Sequence, residues 1–259
     1  MSWCRKRTLA RLPQERVDKE ERMARFVYPD WLSTSGFVVI VVGVCACGVW
    51  AVYTAQRSQG LEAARRWAGW AGCVCLATLA ATAVLAETGF LRSLEGSYAL
   101  GIYPGVANVC AVALACSSLG ARVARAVPLW ALVAFQGFRL PLELILHSWY
   151  RQGTLPVQLT FEGRNFDICT GCLALLVGWG LRHRWWGWQW AAAFNLFGFL
   201  LLCQVMRIAL GSAPWPLRTF PEDQLVLLMF YAPYTWILPC AVSAALLGHL
   251  LTLRAILVR

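Results

Sequence analysis

Five stretches of this chain contain no Asp, Glu, Lys or Arg: residues 31–56, 67–86, 96–121, 185–206 and 224–253. A soluble domain spreads charge along its helices, because each helix turns a face to water. Each stretch here reaches the roughly 20 apolar residues that a helix needs to cross a bilayer core. Two further segments qualify less cleanly. Residues 128–150 are apolar but contain charges, and residues 168–181 are short. The pattern predicts seven spans, at about 36–56, 67–86, 98–119, 128–150, 167–181, 188–211 and 225–251. The expected fold is all-α, a polytopic transmembrane helical bundle with short antiparallel connections. A charged N-terminal tail, 1–34, precedes a seven-helix transmembrane domain, 35–259. Nearly all the buried polarity falls in 128–259, which is the expected functional core.

The tail holds eight Lys or Arg and five Asp or Glu, with no apolar core before Gly36, so no cleavable signal peptide is expected. Residues 17–26 read either as a mixed-charge helix on the membrane surface or as a solvated segment. The net charge of +10 comes from basic residues scattered over the tail and short loops. No basic patch is interleaved with aromatics, so nucleic acid is not an expected partner. Membrane lipid with anionic headgroups is. Protein partners are not indicated.

Several chemistries are excluded. Lysine occurs only at Lys6 and Lys19, in the tail, so no buried Schiff base can form and a seven-span retinal protein is ruled out. No Walker A, H-E-x-x-H or G-x-S-x-G motif is present. His147, His183 and His249 lack i, i+4 partners for a metal or haem, and no metal or cofactor is expected. Most of the 11 cysteines lie within spans, where they act as small apolar residues. Cys169 and Cys172 sit about one helical turn apart and read as helix packing. No internal repeat supports an inverted-repeat transporter.

The charge count over the loops sets Arg57, Arg65, Arg66, Arg122, Arg125, Arg182, Arg184, Arg254 and Arg259 against Arg92, Arg151, Arg164 and Arg218. The positive-inside rule puts the first group in the cytoplasm and the 151–166 loop outside, with the N-terminus; the basic tail argues for the reverse.

The fourth span carries Arg139, Glu143 and His147 at i, i+4, i+8, with Gln136 and Tyr150 on the same face. Charges at bilayer depth are costly and face a protein interior or a wet cavity. Pro141 removes one backbone hydrogen bond beside this stripe and predicts a kink. Functionally, Glu143 accepts a proton, His147 relays it and Arg139 holds an anion. Structurally, Arg139 and Glu143 neutralise each other and lock the bundle. Both readings stand, with His147 near the span end and suited to the interface.

A second constellation follows in Thr160-Phe-Glu162-Gly-Arg164-Asn165-Phe-Asp167. Gly163 permits a tight turn, and Asn165 or Asp167 caps the fifth span. That span has too few apolar residues for a hydrocarbon core of roughly 30 Å, so either the turn dips below the headgroups or the far end extends into His183 and the tryptophans beyond. Arg164 beside a helix N-terminus suits an anionic group; the plainer reading is a capped turn with an Arg164–Glu162 or Arg164–Asp167 pair. Asn195 and Arg207 in the sixth span, and Asp223 before the seventh, bring further polarity. By alternation of spans, Glu162, Arg164, Asp167, Arg207 and Asp223 share one membrane face. Pro233 and Pro239 predict kinks in the seventh span, and His249 reads as a helix-end histidine.

The octapeptide Thr160–Asp167, the run Phe138-Arg-Leu-Pro-Leu-Glu143, and Asp223-Gln224, Pro233 and Gly248-His-Leu250 together resemble a group of uncharacterised bacterial multi-pass membrane proteins. The resemblance covers roughly 128–259. It implies an integral protein of the bacterial plasma (inner) membrane and supports a site at the octapeptide, without implying a reaction. A looser resemblance, through Cys169 and Arg164, is to exosortase-like membrane peptidases, whose surrounding pattern is missing here.

These readings predict a polar pocket between spans 4 and 7, lined by Gln136, Arg139, Glu143, Glu162, Arg164, Asn165, Asp167, Asn195, Arg207 and Asp223. Three functions fit it. One is binding or transport of a small anionic or lipid-headgroup ligand, with proton linkage through Glu143 and Glu162. Another is an intramembrane lipid-modifying hydrolase or transferase, with Glu143, Glu162 or Asp167 as candidate acid–base groups. The third is a non-catalytic assembly or scaffold protein whose buried charges specify packing.

Overall fold

The computed structural model of the chain describes residues 26–258. Most of the charged tail, and the expected surface helix over 17–26 apart from Phe26, lie outside these residues. The described chain is an all-α bundle without strands. Its helices are α1 (Trp31–Gln56), α2 (Leu61–Glu87), α3 (Ile102–Cys116), α4 (Ser118–Ala126), α5 (Leu129–Phe135), α6 (Arg139–Arg151), α7 (Asp167–Arg182), α8 (Trp188–Gly211) and α9 (Ser243–Leu257). Short 3-10 turns and a four-residue helix join them.

Among the described residues, six segments are long and apolar enough to cross a membrane: Trp31–Gln59, Leu61–Glu87, Tyr98–Cys116, Leu129–Arg151, Trp188–Gly211 and Tyr234–Leu257. Helix α7 is the expected short fifth span; its 16 residues span about 24 Å at 1.5 Å each. The outer helices expose Val74, Leu76, Val84, Val106 and Val109 to their surroundings. Such continuous apolar faces are tolerated in lipid and not in water. The protein is therefore a multi-pass integral membrane protein.

Burial ranks the helices. Half of the most apolar 18-residue stretch within Leu129–Arg151 is buried, against 6% of the corresponding stretch of α2. Helices α5 and α6 form the middle of the bundle, and α7 packs on both and on α8. Close approach makes this possible: at Gly171 of α7, a Cβ would strike the backbone of Leu140. Among the described residues, all the buried polar side chains except Gln56 and Thr82 lie in 128–259.

Several boundaries differ from the sequence expectation, each for a local reason. Asp30 caps α1, accepting the Ser33 N–H at 2.9 Å, so the helix begins at Trp31 rather than near residue 36. The third span ends at Cys116 because the Ser117 side chain accepts the Gly120 N–H at 3.1 Å and starts α4 as a separate helix. Arg254 closes this corner by donating to the carbonyls of Ala115 and Ser117. The fourth span breaks at a 3-10 turn, Gln136–Phe138, and Pro141 falls in the first turn of α6, where a missing N–H costs little. The seventh span has no α-helix over 225–233, only a 3-10 turn at Leu228–Phe230. Its helix starts after Pro233, runs to Leu257, and takes up Pro239 in a widened π-helical turn, Leu238–Val242.

Candidate functional site

The stripe on α6 and the octapeptide after it form one structure. Arg139, Glu143 and His147 each take a different residue of the turn, in order along the helix. Arg139 donates from Nε to Asp167 Oδ2 at 2.5 Å, and its Nη2 lies 2.5 Å from Oδ1. Glu143 accepts from Asn165 Nδ2 at both carboxylate oxygens, each at 2.9 Å. His147 Nε2 lies 3.5 Å from Glu162 Oε1, and its ring stacks on Phe161 with centroids 4.5 Å apart. The expected mutual neutralisation of Arg139 and Glu143 is thus corrected: the partner of Arg139 is Asp167, whose two carboxylate oxygens face Nε and Nη2 on one side of the guanidinium.

The turn is shaped to reach these partners. The Thr160 carbonyl accepts from Gly163 N–H at 2.9 Å and from Asn165 N–H at 3.2 Å. A Cβ on Gly163 would strike the Val157 carbonyl, so the turn closes tightly only with glycine there. Asn165 Nδ2 also donates to Leu159 O at 3.0 Å, while its Oδ1 accepts the first N–H of α7, that of Asp167, at 3.0 Å. Asn165 therefore joins Glu143, the turn and the start of α7. Gln158 fastens the preceding turn to the α8–α9 connection by donating to Ser212 Oγ at 3.1 Å and Gln224 O at 2.9 Å. Thr160, Asn165 and Gln158 are buried, so the turn enters the protein, as its short following helix requires.

The network continues into the bundle. Arg139 Nη1 donates to His249 Nε2 at 3.1 Å and reaches the Gly198 carbonyl at 3.4 Å. His249 Nδ1 pairs with Asn195 Oδ1 at 2.9 Å. A guanidinium can only donate, so Nε2 accepts and Nδ1 carries the proton, which fixes one neutral tautomer. Gln136 donates to the Ala245 carbonyl at 2.9 Å, tying the 3-10 turn between α5 and α6 to α9. Exposure is 1% for Arg139, 2% for Glu143, 0% for Asn165 and 1% for His249. These groups are sealed from the surface and bond mainly to one another and to nearby backbone carbonyls.

Of the ten sequence candidates, Gln136, Arg139, Glu143, Asn165, Asp167 and Asn195 thus belong to buried polar contacts. Glu162, Arg164, Arg207 and Asp223 are exposed. Arg164 sets its guanidinium 5.9 Å from the centre of the Phe220 ring and forms neither expected pair with Glu162 or Asp167. Phe220 in turn is bound to the end of α8, its N–H donating to Gly211 O at 3.0 Å. Arg207, one turn earlier on α8, donates to Gln204 at 3.2 Å.

No family model, curated protein or solved structure matches this chain.

His249 is the member of the network that sequence reasoning misplaced. It lies well inside α9, and its ring occupies the space left by the absent side chain of Gly198. The Gly248-His pair was the available signal. Among the described residues, no group of three His, Cys, Asp or Glu side chains is arranged to hold a metal. Cys169 and Cys172 are exposed on α7 and not bonded to each other.

Proposed function

We propose that this multi-pass membrane protein binds a small anionic group, a phosphate or carboxylate borne by a lipid headgroup or a free solute, at the face formed by the 160–167 turn and the end of α8. The observation that carries this reading is the division of labour within the octapeptide. Thr160, Gly163, Asn165 and Asp167 build the turn, and Phe161 and Glu162 meet His147. Arg164 is presented outward over an aromatic ring, with no carboxylate partner among the described residues. Arg207 adds a second exposed guanidinium near the same end of α8. Arg139 serves as framework and not as the anion contact, because all three of its nitrogens are engaged inside the protein.

The test is native mass spectrometry of the detergent-purified protein and its Arg164→Ala variant, offered inorganic phosphate or phosphatidylglycerol. Wild type should retain one of these probes and the variant should retain clearly less of it, without a change in thermal unfolding. A basic side chain near an anionic surface contributes about 1 kcal/mol, so affinity should fall about fivefold. A wild type that holds neither probe, with Arg164→Ala merely less stable, overturns the reading.

A second reading, a non-catalytic assembly protein, is favoured by one fact: Arg139 and Asp167 are committed to each other inside the bundle. Under it, the exposed arginines meet a protein partner, and neither phosphate nor lipid is retained.

A further inference from the structure

Asn165 is the joint between the charge on α6 and the turn that displays Arg164. A side-chain amide has two N–H donors. One is forked across the two oxygens of Glu143 and the other meets Leu159 O, while the amide oxygen holds the Asp167 N–H. Its orientation is therefore fixed by three separate partners. We infer that the charge state of Glu143 controls the seating of the turn, and with it the position of Arg164: the ionised carboxylate holds the turn, and a proton on Glu143 releases it.

The argument is one of donor count and charge balance. Two carboxylates, Glu143 and Asp167, share this interior with one guanidinium, and Asp167 takes its Nε–Nη2 side while Nη1 faces His249 and Gly198. An ionised Glu143 thus adds an excess negative charge whose hydrogen bonds come from a neutral amide. One added proton removes that excess, and it also turns an acceptor oxygen into a donor facing the Asn165 amide, itself a donor. The carbonyl oxygen can still accept, but the hydroxyl no longer suits the amide, so the two-oxygen contact is reduced to one weaker bond to a neutral acceptor. Arg164, next to Asn165 in the chain, moves with it.

The surroundings contain few competing groups. On α6, Arg139 and His147 flank Glu143 by one turn. Asp167 on α7 and His249 on α9 both contact Arg139, and Glu162 in the turn contacts His147. Helix α1, packed along α6, has no Asp, Glu, Lys, Arg or His.

The seating of the turn stands on geometry alone; its consequence for a ligand rests on the function proposed above. The experiment keeps the two apart. Amide hydrogen exchange over 158–167 is followed by mass spectrometry in detergent, without added ligand, from about pH 4 to about pH 9, a range that brackets the ordinary Glu and His values. Rates are divided by the intrinsic rate at each pH. Wild type should lose protection on acidification in one transition of at least about tenfold, the factor equivalent to about 1.4 kcal/mol, the order of one hydrogen bond to a charged group. Glu143→Gln should show no transition, whereas His147→Gln and Arg164→Ala should keep it. Arg164→Ala should weaken the anionic probe while keeping the transition, so failure of the ligand reading leaves this result intact. Infrared difference spectra of wild type over the same range should show a protonated carboxyl appearing in step with the loss of protection, a check that does not depend on a variant folding. No transition in wild type, one that survives Glu143→Gln, one abolished by His147→Gln, or one without the carboxyl band would each overturn the inference.

Discussion

Arg139 and Asp167 are 28 residues apart in the chain and meet edge to edge, Nε to Oδ2 and Nη2 to Oδ1, each at 2.5 Å. The pair closes the loop between α6 and α7 and starts α7 with an acid at its positive end. Asp167→Asn or Arg139→Gln leaves one buried charge without its partner, a change that costs about 3–5 kcal/mol. Replacing both together, as Arg139→Met with Asp167→Leu, should recover most of that loss. Unfolding monitored by tryptophan fluorescence in detergent checks this. Equal losses in the single and double variants would mean that the pair contributes through shape rather than charge.

The tight contact of α7 on α6 gives a second expectation. At Gly171 a Cβ would meet the Leu140 backbone, which has no flexible end to move aside. Gly171→Ala should therefore destabilise by about 1–3 kcal/mol, as overpacking does. Gly43 on α1 has nothing within 4 Å of such a Cβ. Gly43→Ala should be neutral or stabilising by up to about 1 kcal/mol, the helix-propensity gain. Comparing the two variants by the same unfolding assay separates packing from propensity.

The stripe of Arg139, Glu143 and His147 was readable because helical spacing alone puts i, i+4 and i+8 on one face. The octapeptide was readable because its polar density exceeds what a cap requires. Their relation was not readable, since spacing says which residues share a face and nothing about what that face meets. Arg139 and Glu143, four apart, were natural mutual partners by sequence, and the structure gives each a partner from the turn instead. Position along the chain misleads for the same reason at His249: closeness to a span end in sequence does not reveal a buried ring against Gly198. The span boundaries moved where a single side chain, such as Asp30 or Ser117, supplied a cap.

Asp30 also gives a pH expectation at the surface. Its carboxylate accepts the Ser33 N–H, and this bond holds its pKa below the usual value. A group whose folded pKa is lowered adds stability that is present above its unfolded value, about 3.9, and is lost as pH falls through the folded one. Protection of the first amides of α1 should therefore decline on acidification below the ordinary aspartate range. Asp30→Ala should lower protection at neutral pH and remove that decline. Site-resolved hydrogen exchange at Ser33 is the measurement, and an unchanged acid profile in the variant would assign the decline to another group.

The proton on His249 is placed by the two neighbours of its ring. Arg139 Nη1 approaches Nε2 at 3.1 Å and can only donate, while Asn195 Oδ1 approaches Nδ1 at 2.9 Å and can only accept. Both bonds are satisfied at once by a neutral ring protonated at Nδ1, and by no other state. Nitrogen-15 spectra of histidine-labelled protein should show one imidazole in this tautomer, the less common one for a free histidine side chain. Asn195→Leu should remove the acceptor that selects it and weaken the hold on the ring. Because the same ring supplies an acceptor to Arg139, Asn195→Leu should also destabilise the protein by about 1–3 kcal/mol, the cost of leaving a buried donor unsatisfied. A His249 signal with the proton on Nε2 in wild type would require a different partner for Arg139 Nη1, and the link from α6 to α9 would have to be redrawn.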